Sequence, residues 1–165
     1  MPFTKPSALV EDHDTVAFGC GDPVLDSWLR HHAKDHQRER ITSTFVLLDG
    51  STVAGYYCLA TAAAERVGTA SRWRSRRPVD PVPMMLVGRL AVDVRYQGRG
   101  VGARLVRDAT MRALTVRRMV GTPLLGAHAT APDGQSFYRH LGFVPTALDP
   151  HLVLLPLQNA AGSSV

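Results

Sequence analysis

The sequence predicts a single α/β (α+β) domain, on three observations. Apolar runs of strand length alternate with stretches whose apolar residues recur every three or four positions. Asp49-Gly50 separates two strand-like runs with a two-residue hairpin signal. Met84 to Val92 is a long apolar run that leads into a glycine-rich turn and then a helix. The 165 residues fit one domain of ordinary size, expected over 1–158, with 159–165 a frayed tail.

The elements follow in order. Residues 1 to 18 read as an extended lead-in with one short strand. A helix starts at Asp22, whose carboxylate suits the free amides of a first turn, with Pro23 at the first helical position. Leu25, Trp28, Leu29, His32 and Ala33 trace its apolar face; Arg30, His31, Lys34, Asp35 and Arg38 form a mostly basic outer face. Thr44–Leu48 and Thr52–Leu59 are the two hairpin strands, and Gly55 marks a bulge or a close backbone approach.

Residues 64 to 83 carry Arg72, Trp73, Arg74, Arg76 and Arg77, then Pro78, Pro81 and Pro83. Prolines lack an amide donor, so a long basic loop is expected here. Met84–Val92 should be a central strand buried on both faces, although Gly88 and Arg89 interrupt it. A helix is expected over Val101–Arg118, with Leu105, Ala109, Arg112, Ala113 and Val116 inward and Arg104, Arg107, Asp108, Arg117 and Arg118 mostly outward. Leu124–Ala129 is a further strand. Pro132–His140 is a short helix ended by Gly142, and His151–Leu157 is the last strand.

Composition narrows the function. The chain is 45% hydrophobic and 20% charged, as expected of a soluble globular protein. No apolar run approaches the roughly 18 residues that span a bilayer, and the opening residues lack the pattern of a signal peptide. A cytoplasmic location without membrane contact is the expectation. Cys20 and Cys58 have no metal-ligand spacing, so no metal site is expected. Cys58 reads as a small buried hydrophobe; Cys20, in a Gly-rich stretch before a helix, leaves a catalytic thiol open. Lys plus Arg number 19 against 14 acidic residues, a net charge of +5 that is mostly arginine. Arginine suits phosphorylated partners, a nucleotide or a nucleic acid, although simple solubility gives the same excess.

The turn Arg95-Tyr96-Gln97-Gly98-Arg99-Gly100-Val101-Gly102 is the main chemical signal. Gly98, Gly100 and Gly102 let several backbone amides converge at the start of a helix, where a phosphate binds well. Arg95 and Arg99 add charge. An ordinary strand–helix turn would explain three glycines alone. The turn lacks the Lys-Ser/Thr of a P-loop and the glycine spacing of a dinucleotide fingerprint.

Gln97-Gly98-Arg99-Gly100-Val101-Gly102 resembles the Gln/Arg-x-x-Gly-x-Gly/Ala pyrophosphate motif of the GNAT N-acetyltransferase superfamily, and the order of elements is similar along nearly the whole chain. The resemblance implies the GNAT fold, a mixed, mostly antiparallel sheet with a splayed V-shaped cofactor cleft, flanked by helices. It implies acetyl-CoA as cofactor. The backbone of Leu90, Ala91 and Val92 would hold pantetheine, and Gln97, Gly98, Arg99, Gly100, Val101 and Gly102 the pyrophosphate. Ser136-Phe137-Tyr138 resembles the second family signature. Ser136 and Phe137 are then cofactor-binding, and Tyr138 is the general acid that protonates the leaving thiolate. A packed aromatic is the plainer alternative for Tyr138.

The attacking amine must be neutral, yet Met84–Val92 contains no carboxylate to act as base, and Asp93 falls where the family holds cofactor. An aminoacyl ester amine, with a low pKa, fits this better than a lysine side chain. Phe18–Leu29, Val53–Leu59, Val87–Asp93 with Gln97–Gly100, Phe137-Tyr138 and Leu155-Pro156-Leu157 resemble the TacT-like toxins of type II toxin–antitoxin systems. Ala131–Gln135 departs from the usual helical residues ahead of Ser136. That resemblance implies acetylation of the amino group of aminoacyl-tRNA, a block of translation, a ribbon-helix-helix antitoxin and a homodimer. Arg30, Lys34, Arg38, Arg72, Arg74, Arg76, Arg77 and Arg89 would contact the tRNA, with Trp73 stacking on a base. Two other readings stand beside it: a GNAT enzyme for a small amine or protein N-terminus, and a non-catalytic CoA-binding module.

Overall fold

The computed structural model describes residues 3–64, 81–129, 132–146 and 149–158. The elements are β1 (Ser7–Ala8), α1 (Pro23–His31), α2 (Ala33–Glu39), β2 (Ser43–Asp49), β3 (Thr52–Ala64), β4 (Val82–Val92), α3 (Val101–Arg117), β5 (Leu124–His128), α4 (Pro132–His140), β6 (Val144–Pro145) and β7 (Leu152–Pro156). The strands hydrogen-bond in the order β1-β2-β3-β4-β5-β7-β6. β4 and β5 are parallel, whereas β1–β2, β2–β3, β5–β7 and β6–β7 are antiparallel. This is the mixed, mostly antiparallel sheet with flanking helices that was expected.

Two compact units divide the chain. The first joins Met1–Ala60 to Gly88–Ala109. In it Asp22 caps α1 by accepting from the Val24 amide, and Pro23 fills a position that needs no donor. The single amphipathic helix expected here is two. His32, at φ −123°, separates α1 from α2, while His32 N to Trp28 O and His36 N to His32 O keep the ladder running. The break sets α2 against β2: Gln37 donates to Thr44 O and accepts from Thr44 N. Trp28, Leu29 and Ala33 enter the core with Phe18, Val46, Val53, Tyr56 and Ala91, whereas His32 stays exposed. Cys58 is buried in the same core.

The hairpin register is Asp49 opposite Thr52, so the loop is Gly50-Ser51, one residue beyond the expected pair. Gly50 takes the positive φ of 59° that such a loop needs. Gly55 meets both expectations placed on it. The β2–β3 register shifts between Leu47 and Leu48. A Cβ on Gly55 would lie 3.0 Å from Leu105 Cδ1 and Val101 Cγ1 and 3.1 Å from Ala91 O, so its missing side chain seats the first turns of α3.

The second unit joins Thr61–Val87 to Thr110–Val165. Val82, Met84, Leu124 and Leu154 form its buried cluster, with Ala62, Leu86 and Leu152 packed on it. Pro83 lies in β4 rather than in a loop. It is exposed near the strand start, where a missing donor is tolerated. β6, which pairs with β7, was not foreseen; two residues give no period to read. The strand β4 is not buried on both faces. Val82, Met84, Val87 and Ala91 are buried, but Met85, Leu86, Gly88, Arg89, Leu90 and Val92 are only half-buried. Its parallel register with β5 covers Met84–Val87, and the strand runs on to Val92.

Candidate functional site

The exit of β4 is held by a small polar network. Asp93 is 1% exposed. Its carboxylate accepts from the backbone amides of Gly19 at 3.0 Å and Arg95 at 2.9 Å. It also accepts from Arg95 Nε and Nη2. The Arg95 hydrogen bonds, helped by the amides and opposed by burial, hold the carboxyl down to about 2. Asp93 N donates to Ala54 O and Val94 N to Gly19 O. Gln97 Nε2 donates to Cys20 O and to Val92 O, each at 2.9 Å. The Gln97 side chain therefore ties the turn to β4 and to the segment before α1, leaving its backbone for a ligand.

Gly98 and Gly100 take φ values of 76° and 79°, a region that other residues enter at a cost. Gly102 does not share this role, because it lies inside α3 as an ordinary helical residue. A Cβ on Gly98 or Gly100 would meet nothing within 4 Å, so conformation dictates glycine here and the space over the turn is open. Arg95 is committed to Asp93. Arg99 and Arg104 are not: among the described residues no carboxylate pairs with either. Their guanidinium carbons lie 5.0 and 5.5 Å from the centre of the Phe3 ring, and Arg99 lies 5.3 Å from that of Tyr96. The positive pair beside the glycines is Arg99 with Arg104 rather than Arg95 with Arg99. Arg104 was assigned only to the outer face of its helix, and nothing in the sequence ties Phe3 to this turn.

Leu90, Ala91 and Val92 follow Arg89 on β4, and Val92 O already accepts from Gln97. Arg89 is half-buried, with its guanidinium carbon 4.5 Å from the centre of the Trp28 indole. Trp28 in turn stacks on Tyr56 at 5.9 Å. The strand Val82–Val92 has no acidic side chain. Asp93, held near 2 and fully bonded, is too weak a base to take a proton from an ammonium. Cys20 is no better as a nucleophile. Burial first, then the neighbouring Asp26, pushes its thiol up to about 11.

The basic helix face is engaged within the chain. Arg30 Nη2 donates to Val16 O at 3.3 Å. Lys34 Nζ donates to Glu11 O and His13 O, each at 2.8 Å. Arg38 forms ion pairs with Glu11 and Asp35. Carbonyls do not neutralise a cation, so Arg30 and Lys34 keep a net charge that Arg38 shares with two acids. Arg72, Trp73, Arg74, Arg76, Arg77 and the tail 159–165 lie outside the described residues.

In the second unit Ser136, Phe137 and Tyr138 lie on α4, with Ser136 exposed and Phe137 half-buried. Tyr138 is buried, and its ring meets those of Phe137 and Phe143 edge to face, each at 5.1 Å. Tyr138 O accepts from Leu141 N and Phe143 N, and Gly142 at φ 97° turns the chain out of the helix. The start of α4, which departs from the family pattern, is held by Gln135: its Nε2 donates to Ala129 O at 3.3 Å and Pro150 O at 3.2 Å. Among the described residues no group of His, Cys, Asp and Glu could hold a metal ion, and no helix is long and apolar enough to cross a membrane.

The acetyltransferase (GNAT) domain family matches residues 40–145, a span that contains β4, the glycine turn and Tyr138. The chain belongs to the GNAT acetyltransferase family. Within this family it falls among the TacT-like toxins. It is 34% identical over 154 residues to the tRNA-acetylating toxin of Mycobacterium tuberculosis, covering 93% of this chain and 92% of that one. The structure of AtaT complexed with acetyl-methionyl-tRNAfMet superposes with a TM-score of 0.90 at 28% identity, covering 97% and 98% of the two chains. A variant of AtaT bound to acetyl-CoA and to the C-terminus of its antitoxin AtaR gives 0.81 at 27% identity, covering 96% of each.

Proposed function

We propose that this chain transfers the acetyl group of acetyl-CoA to the amino group of aminoacyl-tRNA and so blocks translation, as the toxin of a type II toxin–antitoxin pair. The observation that carries the acceptor is the absence of a usable base on β4. No carboxylate lies on the strand, and Asp93 is locked by Arg95 and Gly19. The amine must arrive largely neutral. An aminoacyl ester amine, with a pKa below the α-amino range near 8, does so at pH 7, whereas a lysine near 10.4 does not. The mycobacterial relative and the tRNA-bound AtaT support the same acceptor.

The residues present suit acetyl-CoA. Gly98 and Gly100 leave open space over a turn that begins a helix of 17 residues, flanked by two cations that have no acidic partner among the described residues. The backbone of Gln97–Gly102 would hold the pyrophosphate and that of Leu90–Val92 the pantetheine, with Ser136 and Phe137 as further contacts. Bound acetyl-CoA supplies an activated acyl group as its thioester. The Tyr138 hydroxyl would hold the proton that the departing thiolate takes, and edge-to-face contacts with Phe137 and Phe143 hold its ring. Arg30, Lys34 and Arg89, with Arg38 and the arginines of residues 72–77, draw in the tRNA backbone. A ribbon-helix-helix antitoxin, a homodimer and a cytoplasmic location complete the reading; that an antitoxin is the partner is supported by the AtaR-bound relative.

The test is incubation with labelled acetyl-CoA and total charged tRNA beside a panel of amines and peptides. Label on the aminoacyl group of tRNA is the expected result. Label confined to peptides or small amines would overturn the acceptor.

A further inference from the structure

We propose that Phe3 is a positioning residue for the acyl donor, holding Arg99 and Arg104 where they take the donor's phosphates. The proposal rests on the acetyl-CoA reading above. Phe3 lies far from the turn in sequence and is half-buried, outside the packed apolar cluster of its unit. Both guanidinium groups nevertheless lie over its ring, at 5.0 and 5.5 Å. A cation–π contact restrains a guanidinium through its charge while leaving the N–H donors unspent, so a restrained arginine still offers its fork to a phosphate.

The ring is itself fixed. Phe3 bridges Asp49 across the sheet edge. Thr4 N donates to Leu48 O at 2.9 Å, and Leu48 N donates to Thr4 Oγ1 at 3.1 Å. The Tyr96 ring meets Phe3 edge to face at 5.8 Å, and its hydroxyl donates to Asp49 Oδ2 at 2.9 Å. The residue just before Gln97 is thus tied to the same post as the arginines that flank the glycines. Long cationic side chains on a surface lose rotamer freedom when they bind an anion, and a ring that already restrains them reduces that loss. Among the described residues neither nearby carboxylate pairs with these arginines: Asp49 accepts from the Tyr96 hydroxyl and Asp93 is paired with Arg95.

The experiment is calorimetric titration of CoA into the full chain, with kcat and KM for acetyl-CoA measured alongside. Phe3→Leu is expected to weaken CoA about fivefold, the size of a partly exposed cation–π contact. It should raise KM by a similar factor at unchanged kcat, and Phe3→Tyr should bind as the native chain does. In an Arg99→Gln/Arg104→Gln background, Phe3→Leu should change CoA affinity no further. Native affinity in Phe3→Leu, an equal loss in Phe3→Tyr, or the same fivefold loss without the two arginines would each overturn the role of Phe3. Failure of the native chain to bind CoA would instead overturn the acetyl-CoA reading.

Discussion

Asp93 and Arg95 form a two-pronged ion pair: Oδ1 accepts from Nε and Oδ2 from Nη2, each at 2.9 Å. The pair fixes the first residue after β4, and the Gly19 amide on Oδ2 carries the restraint to the segment before α1. Because the folded carboxyl titrates at about 2, below its unfolded value near 3.9, the pairing stabilises the fold fully above about pH 4. That share, about 2 kcal/mol, is lost as pH falls from about 4 through 2. Urea unfolding of the native chain and Asp93→Asn should differ most at neutral pH, with the gap closing below pH 4. A gap that stays constant down to pH 2 would refute this account.

Gly55 and Gly98 are both glycines for physical reasons, but different ones. Gly55→Ala places a Cβ against Val101, Leu105 and the Ala91 carbonyl, so the first turns of α3 must move. A loss of about 1–3 kcal/mol is expected, with weaker CoA binding because the turn precedes that helix. Gly98→Ala meets no atom, yet its φ of 76° costs about 1 kcal/mol. Denaturant midpoints order the two variants, and a milder effect at Gly55 than at Gly98 would contradict the close approach.

Much of this was legible in the sequence because each feature had a local cause. The Asp22-Pro23 start of α1, the hairpin at Gly50, the turn at Gly98 and Gly100 and the end of α4 at Gly142 each follow from a residue whose backbone preference decides the shape. The glycine at position 55 announced a close approach but not its partner. What stayed hidden depends on contacts between distant segments. Phe3 over Arg99, the Gly19 amide on Asp93, and Lys34 fastening the carbonyls of Glu11 and His13 have no period or spacing to betray them. The basic face of α1 and α2 was visible as charge, but its internal partners were not.

Tyr138→Phe removes one oxygen and keeps the ring that packs between Phe137 and Phe143. Acetyl transfer should fall about 10²- to 10⁴-fold, the usual contribution of a positioned acid. The fold should persist, as read by circular dichroism. Transfer to charged tRNA at the native rate would remove Tyr138 from the reaction.

The three cations of the first two helices should not behave alike toward tRNA. Among the described residues Arg30 and Lys34 bond only neutral carbonyls, so neither spends its charge on an acid there. Arg38 already faces the carboxylates of Glu11 and Asp35 and has less net charge to offer. Neutralising a residue that contacts a phosphate lowers the slope of log affinity against log salt by roughly 0.7 to 0.9. Arg30→Gln and Lys34→Gln should each lower the slope by about that amount, while Arg38→Gln changes it little. Filter binding of charged tRNA across a salt series measures all three. Equal slopes in all variants would take this face out of the tRNA interface, and a larger drop for Arg38 would mean that tRNA displaces its two acids.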